Sequence, residues 1–158
     1  MTQLTEPLAT ELASPCFHTA ETILERRSEE DFEQLRAVLT DEKADEVAKQ
    51  NAIMLLGRWG RPEVVPALVA QIPAQDERGL INLVDALGRL GTSEAVTAVL
   101  EQSYHPSPDV RRFAAYALER AGTQPALARL REMSRVDEAP FVQARARDLL
   151  TRRDSQSE

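Results

Sequence analysis

Aromatic residues make up only 4% of this 158-residue chain. Alanine, leucine, arginine and glutamate are abundant instead, a mix that favours helix over sheet. There is a single cysteine, Cys16, so no internal disulfide forms, which fits a reducing compartment and a cytoplasmic location. No apolar run approaches the roughly 18 residues that a membrane helix needs. The opening MTQLTEPLATELASP lacks both a basic stretch and a continuous apolar one, so no secretory leader is expected. Positive charge is short as well: the net charge is −7 and the pI near 5.0, which argues against binding a nucleic-acid backbone. What is present is 42% apolar and 28% charged residues, enough for one domain with a buried core.

The missing positive charge is local. Residues 1–50 hold 12 acidic against 5 basic residues, whereas residues 51–158 hold 14 of each. Near the C-terminus Arg145, Arg147, Arg152 and Arg153 face only Asp148, Asp154 and Glu158. Two readings stand: solvated helix faces that differ in sign, or ends that attract one another or a charged partner.

Three segments align without gaps at a spacing of 31 residues, beginning at Asn51, Asn82 and Phe113. Gly60, Gly91 and Gly122 coincide, as do Leu56, Leu87 and Leu118. Ala52, Leu83 and Ala114 form one further apolar set before the glycine, and Leu55, Ala86 and Ala117 another. After it come Val65, Val96 and Leu127, then Leu68, Val99 and Leu130. Weaker copies flank the three, at Ala20–Leu39 and Val142–Leu150. Each unit predicts two helices around a tight turn, with apolar residues at i, i+3 and i+4. The glycine closes the first helix, Thr92 and Thr123 cap the second, and Pro62 occupies a first-turn position. Proline-punctuated segments such as YHPSPD separate the units. A hairpin this short buries its apolar faces only by stacking on its neighbours.

The segment SPDVRRFAAYALERAGTQPALARL resembles a HEAT-like repeat of the phycobilisome-lyase type. Asp109, Val110, Arg111, Ala114, Ala117, Leu118 and Gly122 carry the resemblance. The second unit matches through Ala86, Leu87, Gly88, Gly91, Glu94, Ala95 and Val96. The first matches through Leu56, Gly57, Gly60, Val64, Val65, Pro66, Ala67 and Leu68. The resemblance implies an all-α fold, a right-handed α-solenoid of four to five helical hairpins. Residues 17–153 are expected to form it, between a flexible segment 1–16 and a flexible tail 154–158. The family's common Asp after the glycine is replaced by Arg61, Thr92 and Thr123, so an Asp–Arg ladder between repeats is expected to be incomplete. The name-giving lyases attach bilins as paired, larger subunits, and no residue here marks a bilin site. HEAT-like repeats serve many roles, so the resemblance specifies fold better than function.

Catalytic chemistry finds little support. Cys16 and His18 make a Cys-x-His pair that no second pair completes into a zinc site. His105 stands alone, there is no His-Glu dipeptide for iron, and no serine has an adjacent base. No catalytic residue, metal or cofactor is therefore assigned. The outer face of the second helices carries the candidate binding residues: Glu63, Ala67 and Ala70 in the first unit; Glu94, Thr97, Ala98 and Glu101 in the second; Arg129 and Glu132 in the third. In such solenoids this is the concave face, and small side chains edged by carboxylates suit a partner segment rich in Lys or Arg. A second candidate is the turn ridge of Arg58, Trp59 and Arg61, since Trp and Arg are enriched at binding hot spots. Leu90 and Ala121 occupy the Trp59 position in the other units, so packing over the hydrophobic seam is the favoured reading for the indole itself. The expected function is a non-catalytic protein-interaction module, an adaptor, scaffold or regulatory subunit that is a monomer or weak homodimer. The alternative is an auxiliary subunit of a chromophore or cofactor lyase.

Overall fold

The chain folds as an all-helical solenoid, and its computed structural model describes Leu12, residues 23–25 and residues 28–156. The elements are α1 (Glu29–Thr40), α2 (Glu46–Trp59), a 3₁₀ turn (Pro62–Val64) running into α3 (Val65–Val69), a second 3₁₀ turn (Ile72–Ala74), α4 (Glu77–Leu90), α5 (Ser93–Gln102), α6 (Pro108–Ala121), α7 (Gln124–Val136) and α8 (Pro140–Gln156). No strand occurs among the described residues. The hairpins α2/α3, α4/α5 and α6/α7 are the three aligned repeats.

The repeat signals become local geometry. Gly60, Gly91 and Gly122 take φ values of +79°, +62° and +63°, the left-handed conformation that ends a helix and costs glycine nothing sterically. Their N–H groups donate to the carbonyls of Leu56, Leu87 and Leu118. Thr92 and Thr123 accept the N–H groups of Ala95 and Ala126 at 3.2 and 3.4 Å. Asp45, Asp76 and Ser107 cap the first helices in the same way. The second helix of the first unit departs from expectation, because it is broken rather than continuous. Pro66 has no N–H, and its ring collides with the carbonyl four residues back in a regular helix. Here that residue is Pro62, so a 3₁₀ turn precedes a five-residue helix.

The core is the set that the alignment brings together, save Leu127, which is only half-buried. Ala52, Leu83 and Ala114 are fully buried, as are Leu56, Leu87 and Leu118, and Leu55, Ala86 and Ala117 are no more than 2% exposed. Val65, Leu68, Val96, Val99 and Leu130 close it from the second helices. Successive first helices touch at a repeated small-residue contact. A methyl group on Gly57 would stand 2.6 Å from the Ala86 Cβ and 2.7 Å from its Cα. One on Gly88 would stand 2.5 Å from the Ala117 Cβ. The third equivalent is Glu119, and the register changes there: Arg153 of α8 donates to the Glu119 carbonyl at 3.0 Å.

Leu12 lies within the segment expected to be flexible, yet it is 1% exposed in the core. Its carbonyl accepts the Asn51 amide at 2.7 Å, so apolar burial and a hydrogen bond hold the chain there. The other residues of 1–16 lie outside the described residues. At the far end α8 continues past Arg153 to Gln156, because residues 154–156 extend its hydrogen bonding, with the Ser155 hydroxyl donating to the Thr151 carbonyl at 2.9 Å.

The seam predicts how substitutions rank. Gly88→Val is expected to cost about 1–3 kcal/mol by overpacking against Ala117. Leu87→Ala, which leaves a cavity, is expected to cost about 2–5 kcal/mol, and the exposed Glu101→Ala no more than about 0.5 kcal/mol. Urea unfolding of the three variants checks the order. A Gly88→Val protein as stable as its parent would show that the helices can separate freely.

Candidate functional site

On α5, Glu94, Thr97 and Glu101 are exposed and share one stripe at i, i+3 and i+7. Among the described residues neither Glu94 nor Glu101 is seen to pair with a cation. Their neighbour Ala98 is only 4% exposed, which corrects its place on the outer face. Helix α5 is packed by α4 and α6 on one side and by α3 and α7 on its flanks, so its buried sector widens to take in Ala95, Val96, Ala98 and Val99. In the neighbouring second helices Ala70 is exposed and Ala67 half-buried. Glu63 is exposed but paired with Arg61 at 2.7 Å. Its own backbone N–H and the Arg61 guanidinium together hold its pKa below the usual carboxylate value.

Arg129 turns inward. Its side chain is 10% exposed, its Nε donates to the Ser103 hydroxyl and its Nη2 to the Ser103 carbonyl, both at 2.8 Å. Its guanidinium lies 3.7 Å from the centre of the Tyr104 ring, and exposed Glu132 pairs with it at 2.9 Å. Arg129 is therefore an internal clamp and not a free contact residue. The hydroxyl and main-chain carbonyl it needs were no guide in the sequence, because Ser103 lies 26 residues away.

At the centre of the turn ridge the packing reading holds, and Trp59 is not a free contact residue. Trp59 is 7% exposed and packs on Phe32 of α1, ring centres 5.7 Å apart. The indole covers the end of the seam, as Leu90 and Ala121 do in their units. Arg61 lies over the other side of Phe32, 3.9 Å from its centre, and pairs with Glu29 at 2.6 Å and Glu63 at 2.7 Å. Its hydrogen bonds to the Glu29 and then the Glu63 carboxylates raise its pKa, so it stays charged. Of the three ridge residues only Arg58 is exposed.

The expected ladder between repeats is one rung. Asp85 of α4 accepts from Arg89 at 2.9 Å and from Arg120 of α6 at 3.0 Å, while its equivalents are Met54 and Tyr116. Partial burial pushes the Asp85 pKa up, but the two arginines outweigh it and leave the group below its ordinary value. Cys16 and His18 lie outside the described residues. His105 anchors its own loop, its Nδ1 accepting the Ser107 N–H at 3.1 Å.

With this geometry in view, the comparisons with known proteins are consistent. A model of HEAT repeats matches residues 32–104 and 74–151. The chain belongs to the HEAT-repeat family. No curated protein matches it in sequence. A solved structure, the complex of CpcE and CpcF of phycocyanin lyase from Nostoc sp. PCC7120, resembles it with a TM-score of 0.65 and 20% identity. The likeness covers 95% of this chain and 65% of that one, so this HEAT-repeat chain spans less than two thirds of its neighbour. At that identity the likeness establishes the fold.

One feature of this HEAT-repeat chain was missed beyond its motif. Arg111, quoted above only within the Asp-x-Val-Arg pattern, makes a bidentate pair with Asp137, Nε and Nη2 each 2.9 Å from a carboxylate oxygen. Arg111 Nη1 also donates to the carbonyls of His105 and Pro106 at 3.0 and 2.9 Å. The pair ties the loop before α6 to the end of α7, beneath a notch of about 340 Å³ rimmed by Tyr104 and Val136. The Asp137 side chain is 2% exposed. Burial raises its pKa, but Arg111, the Ala139 N–H and the charge of Arg129 more than offset this, leaving it below the ordinary carboxylate value.

Its folded pKa lies below the unfolded one. The stabilisation is thus complete above the unfolded value of about 4 and is lost as pH falls through the folded value. Asp137→Asn is expected to cost about 3–5 kcal/mol at neutral pH by stranding a buried arginine. The gap between parent and variant is expected to narrow in acid. Thermal unfolding at several pH values checks this, and a pH-independent gap contradicts it.

Proposed function

We propose that this chain is a non-catalytic protein-interaction module, an adaptor or scaffold subunit that holds a basic segment of a partner against its second helices. The observation that carries the reading is the α5 stripe, where Glu94 and Glu101 project into solvent around Thr97 without a cation seen beside them. Carboxylates one to two helical turns apart on a rigid helix set both the attraction and the register of a Lys- or Arg-bearing segment. The small exposed residues beside the stripe, Ala70 on one side and Ala128 on the other, let that segment approach closely. In free solution the chain is a monomer or weak homodimer on this reading.

A second reading is favoured by one observation, the likeness in fold to a subunit of the phycocyanin lyase complex. There the chain is an auxiliary subunit of a chromophore or cofactor lyase, and its partner is the other subunit of such an enzyme. Mass spectrometry of native complexes separates the two: a co-purifying polypeptide alone supports the adaptor, and a bound chromophore supports the lyase subunit.

The stripe gives a direct test. Replacing both Glu94 and Glu101 with Lys is expected to weaken binding of the captured partner by about tenfold or more, about 1.4 kcal/mol. Parental affinity is expected to fall with added salt, since exposed charges are screened over about 8 Å at physiological ionic strength. Circular dichroism is expected to be unchanged, because both positions lie off the core. Titrations at two salt concentrations check this, and full affinity in the double variant rejects the stripe as the contact.

A further inference from the structure

The first helices approach most closely near their C-terminal ends, where Gly57 meets Ala86 and Gly88 meets Ala117. Near their N-terminal ends the α2/α4 pair does not close. A groove of about 750 Å³ opens between them, lined by Val47, Gln50, Asn51, Met54, Gly79 and Asn82 among others. The sequence explains why this pair gapes. At the position of Asn82 the next first helix carries Phe113, whose bulk is missing here, while Gly79, in place of Val110, gives its space to the side chains of Gln75 and Gln50.

The groove wall is a carboxamide row. Asn82 donates to the Gln50 side chain at 2.9 Å, and Gln50 donates to Gln75 at 2.6 Å and to Glu46 at 2.9 Å. Gly79 makes room for this row: a methyl group there would fall 2.8 Å from the Gln50 Nε2. Asn51 already grips a main-chain carbonyl, that of Leu12, at 2.7 Å. Val47, 44% exposed, offers apolar surface beside the amides. Among the lining residues the exposed carboxylates of Glu46 and Asp76 outnumber the charge of Arg78.

We propose that this groove binds an extended segment of a partner protein, with the Asn82 carboxamide pairing to its backbone, an apolar side chain against Val47 and Met54, and a Lys or Arg at the acidic rim. Carboxamides present a donor and an acceptor together, the pattern of a peptide group. Helices about 8–10 Å apart match two to three residues of extended chain at about 3.3 Å each. The inference rests on the reading of the chain as an interaction module but uses a surface separate from the α5 stripe.

The test is selection of phage-displayed random peptides of about nine residues on the whole protein, with Val47→Glu protein as the counter-selection. Enriched peptides are expected to carry an apolar residue and a flanking Lys or Arg. A synthetic, fluorescent copy is expected to lose affinity about tenfold or more with Val47→Glu, with Asn82→Ala, and when its central amides are N-methylated. The Glu94→Lys, Glu101→Lys protein is expected to bind it as the parent does, so failure of the stripe and failure of the groove are distinguishable. Val47 is exposed, so its variant folds, which circular dichroism verifies. No enrichment over the counter-selection overturns the proposal. So does affinity indifferent to Val47→Glu and Asn82→Ala, or unchanged by N-methylation.

Discussion

The contact between a glycine of one first helix and an alanine of the next sets the geometry on which the rest of the solenoid depends. Gly57 against Ala86 and Gly88 against Ala117 recur at the repeat spacing, so the helices stack at the smallest separation that side chains permit. Glycine inside a helix costs about 1 kcal/mol relative to alanine. That cost is tolerated at these two positions because any Cβ would displace the neighbouring backbone. Leu56, Leu87 and Leu118, one residue before this register, are driven fully into the core by the same close approach. The stack is thus held by shape and apolar burial, with charge playing a secondary part.

Where the small-residue contact ends, charge takes over. Glu119 stands where a third glycine would, and Arg153 reaches its carbonyl from α8. On the opposite edge of the same region, Arg111 and Asp137 join α6 to the end of α7 through a buried bidentate pair. Such a pair tolerates little displacement, because either partner left alone is a buried, unpaired charge. Arg129 on Ser103 and Tyr104 repeats the device one layer away. Of the basic C-terminal set, Arg147 and Arg153 reach the carbonyls of Ser134 and Glu119, so part of that basic character is spent on internal fastening.

The elements that depend on near neighbours were legible in the sequence. Gly60, Gly91 and Gly122 end helices, and Thr92 and Thr123 begin them, because turn and cap chemistry acts over three or four residues. The core positions followed from the alignment for the same reason. What stayed hidden depends on partners tens of residues away. Trp59 is buried because Phe32 of α1 lies under it, and Arg129 turns inward because Ser103 is there to receive it. Ala98 is buried because α5 is enclosed on more than one side, which a single-face helical pattern does not express. The alignment did place Gly57 with Gly88, but only the packing shows that this identity is a contact.

These two layers of legibility bear on where a partner binds. A residue that departs from its repeat equivalents without serving the stack is a better guide to function than a residue that is merely polar. Trp59 departs from Leu90 and Ala121, yet it serves the stack by covering Phe32. Asn82 departs from Phe113, and the bulk it gives up borders an open groove, while Gly79 makes way for the Gln50 and Gln75 side chains. Glu94 and Glu101 keep an ordinary exposed face, but among the described residues no cation is seen beside them as Arg61 is beside Glu63 and Arg129 beside Glu132. A solenoid whose core is fixed by close contact can leave such positions unfilled because the neighbouring repeats supply the stability they forgo. The stripe and the groove are the places where this chain does so.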